Sequence, residues 1–308
     1  MLKVPKVILL LESSRLSGRQ LLEGIARYTR LYGPWQIYSK GPVYLESDEV
    51  DYEKLKRWGA DGIIARDTED VESILSMGIP AVISQVVRQE PAGDYYLTVD
   101  SGSAGRKAVD HFVFKGFTNF GFCGFDNMPW SRRNGEEVRE RLGLLGFGVD
   151  FYESGDGEFD WENEQMRIAE WLEDLSKPVG VIACNDVRGK QVLEAARVAG
   201  IKVPEEAVVI GSDNDETICN LTDPQLSSVS LDYERAGFEA AEMLGRLIRG
   251  DVPEKNNVAA KAVAVVGRGS SDTEAIEDNE VARAVHIIRK FSKKYIKVSD
   301  VAGAVSVS

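Results

Sequence analysis

Histidine and cysteine are scarce in this chain, with two His and three Cys among 308 residues. Nucleophilic catalysis of the Ser/His/Asp or Cys/His kind needs a histidine placed beside the nucleophile. His111 falls on an apolar helical pattern, where a core or edge role is expected, and His286 falls on a C-terminal helix pattern. Cys123, Cys184 and Cys219 form no CxxC pair, so neither a zinc site nor a disulfide framework is signalled and free thiols are expected. Cys184 follows an apolar strand and reads as a small core residue. Basic charge is also short: 37 Lys+Arg stand against 50 Asp+Glu, a net charge of −13. Such a chain is a poor nucleic-acid binder by bulk electrostatics, so any DNA contact must be local or made elsewhere. No apolar run approaches the length of a membrane span, and the first, Val7 to Leu11, is too short for a signal-peptide core. A soluble cytoplasmic protein is expected. No GxGxxG or GxxxxGK[ST] is present, and residues 102–107 only faintly echo a phosphate loop. These absences point away from an enzyme and from any cofactor.

What is there is alternation. Short apolar runs at Val7–Leu11, Trp35–Tyr38, Gly62–Ala65, Ala81–Ser84, Asn119–Cys123, Val179–Cys184 and Ala207–Gly211 read as strands. Between them lie amphipathic stretches such as Arg19–Leu31, Tyr52–Trp58, Ser103–Phe114, Gly135–Leu145, Glu162–Leu175 and Val187–Ala199. Strand–helix alternation means βαβ crossovers and parallel sheets, and the all-apolar strand at 179–183 fits a sheet covered on both faces. The pattern restarts after Phe125, so an α/β protein of two Rossmann-like parallel-sheet lobes is expected. Near the C-terminus the alternation breaks: Asp232–Leu247 reads as a long helix, residues 270–272 as a linker, and residues 279–291 and those from 298 as two further helices.

Ligands of parallel α/β sheets bind beyond the carboxyl ends of the strands. The polar residues there are Ser13 and Ser14, Asp100, Arg132 and Arg133, Asn185, Asp186 and Asp213, with Trp161 opening a helix. Carboxylates and amides accept hydroxyl hydrogen bonds, Arg donates a fixed fork and an indole offers an apolar face, a set suited to a neutral sugar. Each has a plainer reading. The aspartates could cap helices or make turns, the arginines could form a solvated pair, and Trp161 could be a hydrophobic staple.

The run "VGVIACNDVRGKQVLEAARVAGIKVPEEAVVIGSDNDE" (179–216) resembles the effector domain of lac/gal-repressor-type regulators: an apolar strand ending in Asn-Asp, a helix, a Val-Pro, then a strand ending in Gly-x-Asp. Residues 226–250 are similar to the segment that crosses back to the first lobe, and "RRNG" (132–135) to the family's Arg-x-x-Gly. The resemblance spans residues 5–268. Residues 272–308 are similar to the opening of an AraC-type DNA-binding domain, and that order resembles the xylose operon regulator family. It implies the type I periplasmic-binding-protein fold, with lobes at 1–124 plus 231–257 and 125–230 plus 258–270, and a stub at 271–308 of an incomplete helix-turn-helix domain. It implies that Asp186 and Asp213 accept sugar hydroxyls, Arg132 donates, Asn185 and Asp100 line the cleft, Trp161 stacks, and Ser13 and Ser14 are weaker candidates. The implied partners are a sugar, D-xylose foremost, operator DNA through the mostly missing domain, and a second copy of the chain, with no membrane. Sugar would close the lobes about a three-stranded hinge near Gly124, Ser230 and the segment before Val258. A transport-type solute-binding protein and a sugar-directed α/β enzyme remain as alternatives.

Overall fold

The computed structural model describes residues 4–39, 50–152, 160–273, 279–291 and 297–305. From the N-terminus, strands and helices alternate: β1 (Lys6–Leu10), α1 (Leu16–Tyr32), β2 (Gln36–Ser39), α2 (Tyr52–Trp58), β3 (Gly62–Arg66), α3 (Val71–Ser76), β4 (Ala81–Ser84) and β5 (Tyr96–Val99). A second series follows: α4 (Ser101–Phe114), β6 (Asn119–Cys123), α5 (Pro129–Leu144), β7 (Asp150–Tyr152), α6 (Trp161–Asp174), β8 (Val179–Ala183), α7 (Asp186–Val198), β9 (Ala207–Asp213), α8 (Glu216–Asn220) and β10 (Ser227–Leu231). Then come α9 (Tyr233–Ile248), β11 (Asn257–Ala260), β12 (Ala262–Val266), a 3-10 turn (Gly269–Ser271), α10 (Asn279–Lys290) and α11 (Val298–Val305).

The chain divides into two compact units, residues 1–100 with 232–261 and residues 101–231 with 262–308. The first holds a six-stranded sheet ordered β11-β5-β4-β3-β1-β2, every pairing parallel. The second holds a sheet ordered β12-β10-β9-β8-β6-β7, in which only β12 runs antiparallel to its neighbour. Two parallel-sheet units are thus present, as the alternation implies.

The crossings differ from those expected. The first lies at residues 100–101, not at Gly124, because Asn119–Cys123 pairs in register with Val179–Ala183 of the second sheet. An apolar strand after a helix satisfies either sheet's alternation, and nothing local in it names its neighbour. The return crossing lies at 231–232, and the last at 261–262 rather than before Val258, because Asn257–Ala260 adds a strand to the first sheet. Nor do residues 270–272 form a free linker. Ser270 and Ser271 are buried: the Ser270 hydroxyl donates to the Val209 carbonyl (2.7 Å), and that of Ser271 to Ser227 Oγ (2.7 Å).

Each core follows from pattern. β8, Val-Gly-Val-Ile-Ala, is buried at every position because helices cover both faces. In the first unit, α1 and α9 approach closely through two glycines. A Cβ at Gly24 would lie 2.0 Å from the Glu234 carbonyl oxygen, and one at Gly237 2.1 Å from that of Leu21. Ala236, Ala240 and Ala241 continue the small-residue face of α9.

Candidate functional site

In both sheets the order reverses beside the first strand of the series, at β1/β3 and at β6/β8. Such reversals open a crevice at the strands' carboxyl ends, where ligands of parallel sheets bind. In the second unit the chain leaves β6 at Gly124 and β8 at Cys184–Asn185.

Asn185 is the N-cap of α7, its Oδ1 accepting from the Arg188 backbone N–H (2.9 Å). Asp213 ends β9 with φ +102°, and Asn214 follows with φ +55°. Two successive non-glycine residues in left-handed territory cost about 1–3 kcal/mol each and persist only when the surroundings hold them. Here the Asn214 N–H donates to Ser228 Oγ (3.0 Å), Asn214 Oδ1 accepts from Arg268 Nη2 (2.7 Å), and the Asp215 N–H donates to Asp186 Oδ2 (2.7 Å).

Asp186 is enclosed by its neighbours. It is 1% exposed, and its oxygens accept from the Ser228 hydroxyl, the Asp215 amide and the Cys219 thiol. Burial, then the charge of Asp213, raises its carboxyl well above the usual 3.8. It is an interior anchor for the turn that carries Asp213. Gly211 makes room for it, since a Cβ there would sit 2.3 Å from Asp186 Oδ1.

Arg132 and Arg133 lie in the first turn of α5, which begins six residues before the expected Gly135, and both are exposed. The approach to that helix is fixed by Ser131, whose buried Oγ accepts from the Phe125 N–H (2.8 Å). Trp161 opens α6 after the N-cap Asp160 and is 62% exposed, a large indole outside the core. Asn185, Asp213, Arg132 and Trp161 therefore all belong to the second unit, on or directly after elements that begin at its strands' carboxyl ends. Ser13, Ser14 and Asp100 belong to the first unit. There the Ser13 and Ser14 carbonyls accept from Arg19 Nη1 (3.2 and 2.6 Å), and Glu12 accepts from the Ser14 N–H (2.9 Å) and hydroxyl and faces Arg66 across β1/β3 (3.5 Å). Asp100 follows β5 with its N–H on the Ala260 carbonyl (2.8 Å).

Sequence reasoning missed a buried charged cluster. Arg188, 1% exposed, donates from Nη1 to Glu164 Oε1 (2.7 Å) and from Nε and Nη2 to the Gly124 carbonyl (3.0 and 2.6 Å). The Tyr152 hydroxyl donates to Glu164 Oε2 (2.9 Å), and the guanidinium lies over the rings of Phe125 (4.1 Å) and Tyr152 (5.4 Å). The available signal was charge on the apolar helical stripes 164-168-172 and 188-192-195. In the first unit, Asp67 was missed likewise; it accepts from the Val86, Val87 and Arg88 amides.

Among the described residues no cluster of His, Cys, Asp and Glu could hold a metal, and no helix is long and apolar enough to cross a membrane. The three cysteines are free and buried, and burial pushes the thiols of Cys184 and Cys219 up to about 12.

The model of the periplasmic binding protein-like domain matches residues 109–271, more than half of the chain. The chain belongs to that family. Its two parallel-sheet units are the lobes of the type I periplasmic-binding-protein fold. It is 28% identical to the xylose operon regulatory protein of Escherichia coli K12, over 98% of this chain and 79% of that one. It is also 28% identical to the protein of the same name from Haemophilus influenzae, over 96% of this chain and 78% of the relative. A solved structure of a xylose-binding transcription activator superposes with a TM-score of 0.80 at 26% identity, covering all of this chain and 80% of the other. The relatives of this set are regulators of operons or of transcription.

Proposed function

We propose that this chain is the sugar-sensing part of a cytoplasmic transcription regulator, with D-xylose as its effector. One observation carries the reading: charged and amide hydrogen-bonding side chains at the carboxyl ends of the second unit's strands, with an exposed indole opening α6 of the same unit. Asp213 accepts sugar hydroxyls, Asn185 donates its amide hydrogens, Arg132 donates a fork and Trp161 takes an apolar ring face. Asp186 holds the turn under Asp213. Asp100, with Ser13 and Ser14 as the weaker candidates, is the sugar contact proposed within the first unit. α10 and α11 open an AraC-type DNA-binding region, the regulator works as a homodimer, and the chain catalyses nothing. Sugar acts by binding one arrangement of the two units better than another, the only way a ligand can shift such an equilibrium.

Calorimetry with D-xylose, glucose, ribose and arabinose tests the ligand. Saturable binding of xylose above the others is expected, weakened about tenfold or more by Asp213→Asn, the size of effect when one of a carboxylate's two acceptor oxygens becomes a donor that opposes a ligand hydroxyl. Binding of a non-pentose with none of xylose rejects the ligand assignment.

A further inference from the structure

We propose that Arg188 is a positioning residue for the sugar site, and that its pair with Glu164 sets Trp161 and Asn185 in fixed relation. The inference rests on the functional reading above.

Arg188 sits three residues after Asn185 on α7, and Glu164 three residues after Trp161 on α6. Positions i and i+3 are neighbours on one helix face. The Arg188–Glu164 pair therefore ties the first turns of the two helices together, one turn below each candidate ligand residue. The same guanidinium holds the Gly124 carbonyl by two hydrogen bonds, at the point where the chain leaves β6 toward α5 and Arg132. One side chain thus links the ends of β6 and β8, the two strands that flank the reversal of sheet order, to the start of α6.

The cost of this device argues for the role. Desolvating an ion pair offsets most of its attraction, and apolar residues of similar volume commonly serve stability as well or better. The site is densely bonded: Glu164 also takes the Tyr152 hydroxyl, Gln191 Oε1 accepts from Arg188 Nη1 (2.9 Å), and two rings cover the guanidinium. A buried hydrogen-bonded network of this kind fixes one geometry where an apolar contact tolerates several.

Three variants test this: Glu164→Gln, Tyr152→Phe, and the apolar double exchange Glu164→Leu with Arg188→Met, which leaves no buried charge unpaired. Each is followed by thermal unfolding, by xylose calorimetry and by the sugar-induced fluorescence change of Trp161, obtained by subtracting that of Trp161→Phe. The expected result is a folded double variant that binds xylose about tenfold more weakly, the loss seen when groups orienting a ligating residue are removed, with the Trp161 signal reduced. Glu164→Gln should cost less in the Trp161→Phe background than alone, because the two act through one contact. Wild-type affinity and Trp161 signal in any folded variant overturn the proposal, whatever its melting temperature. A wild-type chain that binds none of the sugars overturns the functional reading itself, a result separate from any variant.

Discussion

His111, on α4, is partly buried, and its Nε2 meets no hydrogen-bond partner among the described residues. Burial, reinforced by the charge of Lys115, lowers its pKa from 6.5 to about 4. In the unfolded chain the imidazole gains its proton near 6.5, while the folded protein resists until about 4. The stability present above 6.5 is therefore lost as pH falls through that window. His111→Gln is expected to lose less melting temperature than wild type between about pH 7 and about pH 5, read by thermal unfolding at both. At the same scale, the polar residues at the strand ends were legible and their hydrogen-bond partners were not. Asn185 and Asp186 are adjacent in sequence, yet one caps α7 and the other is held by Ser228 and the Asp215 amide. That split depends on a serine 42 residues away and on the room left by Gly211, which no local pattern encodes.

Elements were legible where periodicity was long. Tyr52–Trp58, Ala81–Ser84 and Asn119–Cys123 have the bounds the pattern gives, and α1, α6 and α7 differ by at most three residues at either end. α8 and β11 were missed, being five and four residues long with weak periodicity. β11 is a strand chiefly because β5 offers it an edge. The α1–α9 contact shows what glycine does at this scale. Gly237→Ala sets a methyl against the Leu21 backbone, which cannot rotate away as a side chain would. The expected loss is about 1–3 kcal/mol, typical of overpacking, measurable by urea unfolding, with the secondary-structure content unchanged.

For the whole molecule, the informative residues are those that link distant segments. Arg268 donates to Asn214 Oδ1 (2.7 Å) and to the Leu226 carbonyl (3.0 Å), directly before the buried Ser270 and Ser271. The strained turn beside Asp213 and the segment leading to α10 thus share one side chain. Arg268→Ala is expected to weaken xylose binding and to speed amide hydrogen exchange at Ser270, whose N–H donates to the Gln225 carbonyl. Faster exchange at Ser270 with unchanged sugar affinity would confine the residue to the exit segment.

The threefold passage of the chain between units also orders its assembly. The strands β6 to β10 come from one unbroken stretch, so the second sheet lacks only its edge strand β12 when Leu231 has been made. The first sheet is different: α1 must wait for α9, and β5 for β11, both encoded some two hundred residues or more after β1. On the ribosome, where domains fold as they emerge, the N-terminal unit is therefore finished last. Its apolar helix face stays uncovered through most of synthesis, the interval in which a chaperone has the most to bind.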